Sequence, residues 1–172
     1  RRQSGRRELE VKYPLNLLFA ILYLAALALL AHPLGQALPR RLFREDRFPF
    51  ASFRWEQNGT VYKKLWIEKW KDILPDMSRV LSDMIPKKIT EATPEQMKLL
   101  LSETCRAEAV HWGEIAAGLG CLAICPNLAG VILTALWALF GNLPFILIQR
   151  YNRPRLKKLY DRLAALERRK ER

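Results

Sequence analysis

The chain has 172 residues and a formal net charge of +12, and half of its residues are hydrophobic. Those figures conflict in a soluble domain but agree when the apolar residues are gathered into membrane segments and the charges into their flanks. They exclude a disulfide-framed scaffold: Cys121 and Cys125 lie one helical turn apart inside an apolar run, and Cys105 precedes it. With only His32 and His111 beside them, no metal site is expected. The basic residues flank apolar runs and do not interleave with aromatics on a soluble face. Anionic lipid or a phosphorylated cosubstrate is therefore the expected partner, and nucleic acid is not.

From the N-terminus, Pro14 to Ala31 carries no charge and reads as a first, retained membrane span. Pro33 to Phe50, rich in Pro, Arg and Phe, is too irregular for a long element and is expected along the interface. Phe53 to Tyr62 reads as a β-hairpin, because Asn58-Gly59 is a favoured two-residue turn whose register sets Trp55 opposite Tyr62. Lys63 to Leu74 spaces Leu65, Trp66, Trp70 and Ile73 as on one amphipathic interfacial helix, stopped by Pro75. A short helix over Asp76–Met84 and a polar connection from Pro86 to Thr93 follow.

Thr93-Pro94-Glu95-Gln96 is a helix start: a Thr cap, Pro at the first helical position, and Gln three residues after the cap. No breaker intervenes before Pro126, so a helix of about 30 residues is predicted, with Val110 to Cys125 as its membrane-embedded end. Pro126-Asn127 is the only turn signal before Leu128 to Ile148, a run of about 20 apolar residues and the last span. Asn142 and Pro144 disturb the final turns of that span and point them at protein or a polar cavity. The tail from Arg155 sets Leu156, Leu159, Tyr160, Leu163 and Leu166 on one face and basic residues on the other, as a surface helix does. The fold class is mainly α and integral to a membrane: about three embedded helices, interfacial helices, and one small hairpin, all in a single domain.

Lys and Arg number 5 in residues 1–12, 14 in residues 33–112 and 10 in residues 149–172. A hairpin of the two later helices puts the last two groups on one side of the membrane, and their charge favours the cytoplasm.

Two stretches carry chemistry. In Glu103 to Trp112, helical spacing sets Glu103 beside Arg106, and Glu108 beside His111 and Trp112. A carboxylate can orient an imidazole as a general base. Ordinary surface pairing would use the same residues, but charge at membrane depth usually serves a cavity. In Gln149 to Arg155, the guanidinium groups of Arg150, Arg153 and Arg155 alternate with Gln149, Tyr151, Asn152 and Pro154, as a phosphate or carboxylate grip would. A stop-transfer flank would also be basic and aromatic.

Trp70-Lys71-Asp72 with Leu74-Pro75-Asp76, Arg106-Ala107-Glu108 with His111-Trp112, Asn142, Pro144, and the run Gln149 to Leu156 together resemble the glycosyl-4,4'-diaponeurosporenoate acyltransferases of staphyloxanthin-type carotenoid biosynthesis. The order and spacing agree from about Pro39 to Leu156. The resemblance implies a bacterial multi-pass membrane enzyme that esterifies a sugar hydroxyl, on a lipid-soluble glycosylated acceptor, with a fatty acyl group. On this reading the catalytic group is His111 oriented by Glu108, with Glu103 and Arg106 beside them. Asn142, Gln149 or Tyr151 would stabilise the oxyanion. Arg150, Arg153 and Arg155, with Lys69 and Lys71, would hold an acyl-CoA or acyl-carrier donor. The motif residues Trp70, Lys71, Asp72, Trp112 and Asn152 complete the substrate-binding set. No tightly bound cofactor is expected, and the oligomeric state is left open. The alternatives are another lipid-modifying membrane transferase, such as a methyltransferase, or a non-enzymatic lipid-binding protein.

Overall fold

The computed structural model describes residues 2–74 and 93–170, with side chains from Tyr13 onward. The short helix expected over Asp76–Met84 and most of the connection after it lie outside these residues. Among the described residues every regular element is helical. The chain forms two compact units, one of Arg1–Ala37 with Ala109–Phe145 and the other of Leu38–Glu108 with Ile146–Arg172.

The first unit is built on α1 (Arg2–Ala37), which runs through Pro33 instead of ending there. It also holds the end of α3 (Pro94–Gly118), the one-turn α4 (Cys121–Ile124), α5 (Leu128–Leu136), and a π-helical turn at Trp137–Asn142 that leads into α6 (Leu143–Lys170). Its core is Ala20 and Leu24 of α1 against Cys121 and Cys125. Asn127 caps α5, its Oδ1 accepting the Gly130 N–H at 3.2 Å.

Two helices, Tyr13–Ala37 and Leu128–Lys170, are long and apolar enough to cross a membrane. Their large side chains have no protein partner over much of their surface: Leu29 is 78% exposed, Leu128 73% and Phe140 69%. Apolar area of that extent, left bare, suits lipid. The third expected span, Val110 to Cys125, is not found. α3 stops at Gly118, where Leu119 and Gly120 switch to bonds three residues back, and the Tyr23 hydroxyl donates at 2.8 Å to the Ala117 carbonyl that a continuing α-helix would use for Cys121.

In the second unit, α3 opens as its cap signal predicts, with Thr93 Oγ1 accepting the Gln96 N–H at 3.2 Å. The expected β-hairpin is replaced by 3₁₀ turns at Arg54–Gly59 and Val61–Leu65. Asn58 and Gly59 do adopt the left-handed backbone their dipeptide favours, at φ +54 and +82, but Gln57 joins them at +48, and three such residues in a row turn the chain without aligning two strands. The Trp55 and Tyr62 rings still meet edge to face at 6.1 Å. The helix expected over Lys63 to Leu74 is divided at Trp66, which sits at φ +50, leaving only the one-turn α2 (Ile67–Trp70). The cause is Trp70, whose indole N–H donates at 2.9 Å to the Leu65 carbonyl, so that Lys69 N–H bonds Trp66 instead. Tyr62, Ile67, Ile148 and Tyr151 form the apolar core beneath, with Trp70 and Leu74 packed against it.

Candidate functional site

Among the described residues, each unit holds a cluster of polar side chains that includes candidate site residues. In the first, His111 sits on α3 with its ring stacked on Phe145, centroids 4.9 Å apart and planes within 12°. Its Nδ1 lies 2.9 Å from Asn142 Oδ1 and 3.2 Å from Glu114 Oε2. Asn142 is wholly buried, and its amide orientation is fixed because Nδ2 donates at 3.1 Å to the Trp137 carbonyl. Nδ1 therefore faces two acceptors and must carry the proton, which leaves the lone pair of a neutral imidazole on Nε2.

The π turn makes this arrangement. Pro144 has no N–H for the Phe140 carbonyl, and the helix widens so that Leu143 N–H bonds Ala138, five residues back. The Asn142 side chain closes on the Trp137 carbonyl inside the widened turn. Trp137 is held in turn by its indole N–H, which donates at 2.9 Å to the Glu114 carbonyl. The ring can come this close only because residue 118 is glycine: a Cβ there would lie 2.5 Å from Trp137 Cδ1.

In the second unit, Glu108 is fully buried and accepts from Arg150 Nε at 2.7 Å and Arg153 Nη2 at 2.6 Å. Arg150 also donates to Glu56 Oε1 at 2.7 Å and to the Pro49 carbonyl at 2.6 Å. Arg153 also donates to the Phe50 carbonyl at 2.7 Å and to the hydroxyl and carbonyl of Thr104, both at 3.1 Å. Phe53 and Phe50 lie under the two guanidinium groups at 4.8 and 5.7 Å. Glu56 also accepts the Phe53 N–H at 2.7 Å and the Tyr62 hydroxyl. Two carboxylates thus balance two guanidinium groups, as burial of charge requires. Burial, reinforced by Glu56, pushes the Tyr62 phenol well above its usual range.

Of the remaining candidates, Glu103 bridges Arg40 Nε at 2.6 Å and Arg106 Nη2 at 2.5 Å. Gln149 is buried and Asn152 half-buried, while Trp112 and Asp72 are exposed. The Tyr151 hydroxyl donates to Glu68, and that bond, the largest influence on it, holds the Glu68 carboxyl below its usual range. Arg155 stacks on the Tyr151 ring at 3.4 Å, and the Lys71 ammonium lies 5.8 Å from the same ring. Burial pushes the Cys105 thiol up to about 11. The structure thus brings Glu108 together with Arg150 and Arg153, and His111 together with Asn142. The sequence reading overlooked Glu114 as the carboxylate at His111, and Glu56 and Thr104 as partners of the arginines. Glu114 was legible, three residues from His111 on one helix; Glu56, 94 residues from Arg150, gave no local signal.

The sequence profile of the glycosyl-4,4'-diaponeurosporenoate acyltransferase family matches residues 39–162. Proteins named glycosyl-4,4'-diaponeurosporenoate acyltransferase from Staphylococcus aureus, strains bovine RF122 / ET3-1 and USA300, are each 31% identical over 163 residues, covering 94% of this chain and 96% of theirs. The protein of that name from strain Newman is 30% identical over the same length. No solved structure matches the chain.

Proposed function

The chain belongs to the glycosyl-4,4'-diaponeurosporenoate acyltransferase family, and on that premise we propose that it esterifies a hydroxyl of a glycosylated, lipid-soluble carotenoid with a fatty acyl group, using His111 as general base. The observation that carries the mechanism is the pair of acceptors on His111 Nδ1, which leaves Nε2 free to take a proton. Nε2 removes the hydroxyl proton as the acceptor oxygen attacks the acyl carbonyl. The new C–O bond forms, the bond to the thioester sulfur of an acyl-CoA or acyl-carrier donor breaks, and the proton passes from the imidazolium to the departing thiolate. Asn142 and Glu114 are positioning residues, since both amide atoms of Asn142 are already engaged within the protein.

We assign the charge-balanced cluster of Glu56, Glu108, Arg150 and Arg153 to holding the fold. In the second unit the cations that keep solvent-facing surface, and so are suited to phosphate, are Arg155 (38% exposed as a side chain), Lys69 and Lys71. The basic central region and tail share the cytoplasmic side on this reading, in agreement with the distribution of Lys and Arg and with the bonds from Arg150 and Arg153 to Glu56 and Glu108, and residues 109–127 serve as a broken return leg in place of a continuous third span. The test is His111→Ala in detergent or nanodiscs, with acyl transfer and donor binding measured separately. Turnover falls by about 10²- to 10⁴-fold while the donor's apparent Kd holds. A folded His111→Ala that keeps wild-type turnover refutes the mechanism and leaves the family membership intact.

A further inference from the structure

The first unit contains an open groove of about 360 Å³ lined by Leu24 and Ala25 of α1, by Leu133 and Leu136 of α5, and by Trp137 and Gly141 of the π turn. It is lined by carbon. At ~30 Å³ for a water-sized group, its volume is that of roughly a dozen methylenes. Both walls belong to helices whose apolar faces are exposed, so a chain lying in the bilayer can enter from the side without leaving a hydrocarbon environment.

The groove is joined to His111 by a short covalent and hydrogen-bonded path. The Trp137 ring forms its wall, the Trp137 carbonyl accepts the Asn142 amide, and Asn142 accepts from His111. Gly141 directly precedes Asn142. A chain lying along Trp137 therefore packs against a residue that also holds Asn142 at His111, and an apolar cleft of this kind discriminates by length and girth.

We propose that this groove binds the alkyl chain of the fatty acyl donor and that Ala25 and Gly141 set the chain length transferred; the proposal rests on the assignment of His111 as the acyl-transfer base. Gly141 is suited to testing it. Its backbone is helical, and a Cβ there would sit 3.5 Å from Trp137 Cε3, an ordinary contact, so added methyl groups enter the groove without displacing backbone.

The experiment compares turnover with palmitoyl-CoA and octanoyl-CoA, using full-length protein in nanodiscs and a glycosylated carotenoid acceptor. In folded Gly141→Val and Ala25→Leu the palmitoyl-to-octanoyl ratio is expected to fall by about 10-fold or more, the discrimination that a methylene or two commands in an apolar pocket. A ratio equal to wild type in both variants overturns the proposal. His111→Ala should depress both donors alike; if it keeps full turnover while the groove variants still shift the ratio, the base assignment falls and the groove assignment stands. A second measurement does not depend on turnover: palmitoyl-CoA carrying a terminal diazirine should label Leu24, Leu133 or Leu136 on irradiation, and excess palmitoyl-CoA should displace it where added phospholipid does not. Labelling confined to other segments, or displacement by phospholipid alone, means that the groove holds only bulk lipid and overturns the proposal.

Discussion

Replacing Glu108 by Gln isolates the charge in the buried cluster while keeping the shape of the side chain. Glu108 is 1% exposed as a side chain, and its guanidinium partners on Arg150 and Arg153 are 10% and 4% exposed. Each of the two bonds it accepts is charge-assisted, a kind that contributes about 1.5–3 kcal/mol. Gln can still accept one of them with Oε1. Its NH2 group then points at a guanidinium donor, and Arg153 keeps only carbonyl and hydroxyl acceptors. Breaking one partner out of a buried pair typically costs about 3–5 kcal/mol, a large part of the roughly 5–15 kcal/mol that holds a domain folded. Glu108→Gln should therefore lower the unfolding midpoint clearly, followed by circular dichroism in urea and detergent. Glu108→Leu combined with Arg153→Met removes both charges, leaves Arg150 its pairing with Glu56, and should cost less than the sum of the single replacements. A Glu108→Gln within about 1 kcal/mol of wild type, or strictly additive replacements, would show that the cluster does not act as a unit.

Arg150→Ala should behave in the same way, losing stability before donor affinity, because its donors go to Glu56, Glu108 and Pro49; intact stability with a weakened donor Kd would return it to the phosphate site. Gly118→Ala should displace the Trp137 indole from the Glu114 carbonyl and cost about 1–3 kcal/mol by overpacking, read as a shift in tryptophan emission and midpoint. All three native cysteines are buried, and with its thiol pushed to about 11 Cys105 should resist alkylation at pH 8 until the protein unfolds, as mass spectrometry of intact protein will show; rapid native labelling of Cys105 counts against this packing. On that silent background, Lys64→Cys and Glu167→Cys should label from the same side of the membrane with an impermeant maleimide, and opposite sides would end the proposed topology.

Features written into neighbouring residues were legible in the sequence, whereas those requiring distant partners were not. Thr93 caps α3 because the helix start is a local contest for unsatisfied N–H groups, and Glu103 meets Arg106 because a helix sets residues three apart side by side. The apolar run from Leu128 declared itself by length. Asn58-Gly59 announced left-handed backbone correctly, but a strand also needs a partner, and here Glu56 turns inward to Tyr62 and Arg150. The site divides along the same line. Helical spacing offered His111 two carboxylates, Glu108 and Glu114, and nothing local could tell that Glu108 is taken by two arginines more than 40 residues later in the chain.

The π turn has a consequence for insertions and deletions. A helix that bonds five residues back holds one residue more than an α-helix of the same rise, so Trp137–Asn142 is one residue overfull. Deleting one residue there would relieve the bulge and leave an unbroken helix with the residues that follow still in phase, yet it would remove the widened turn in which Asn142 closes on the Trp137 carbonyl. Asn142 would then lose the geometry that holds it at His111 Nδ1. Single-residue length changes between 138 and 141 should accordingly be rarer among active relatives than substitutions at the same positions, even though the helix itself would tolerate them.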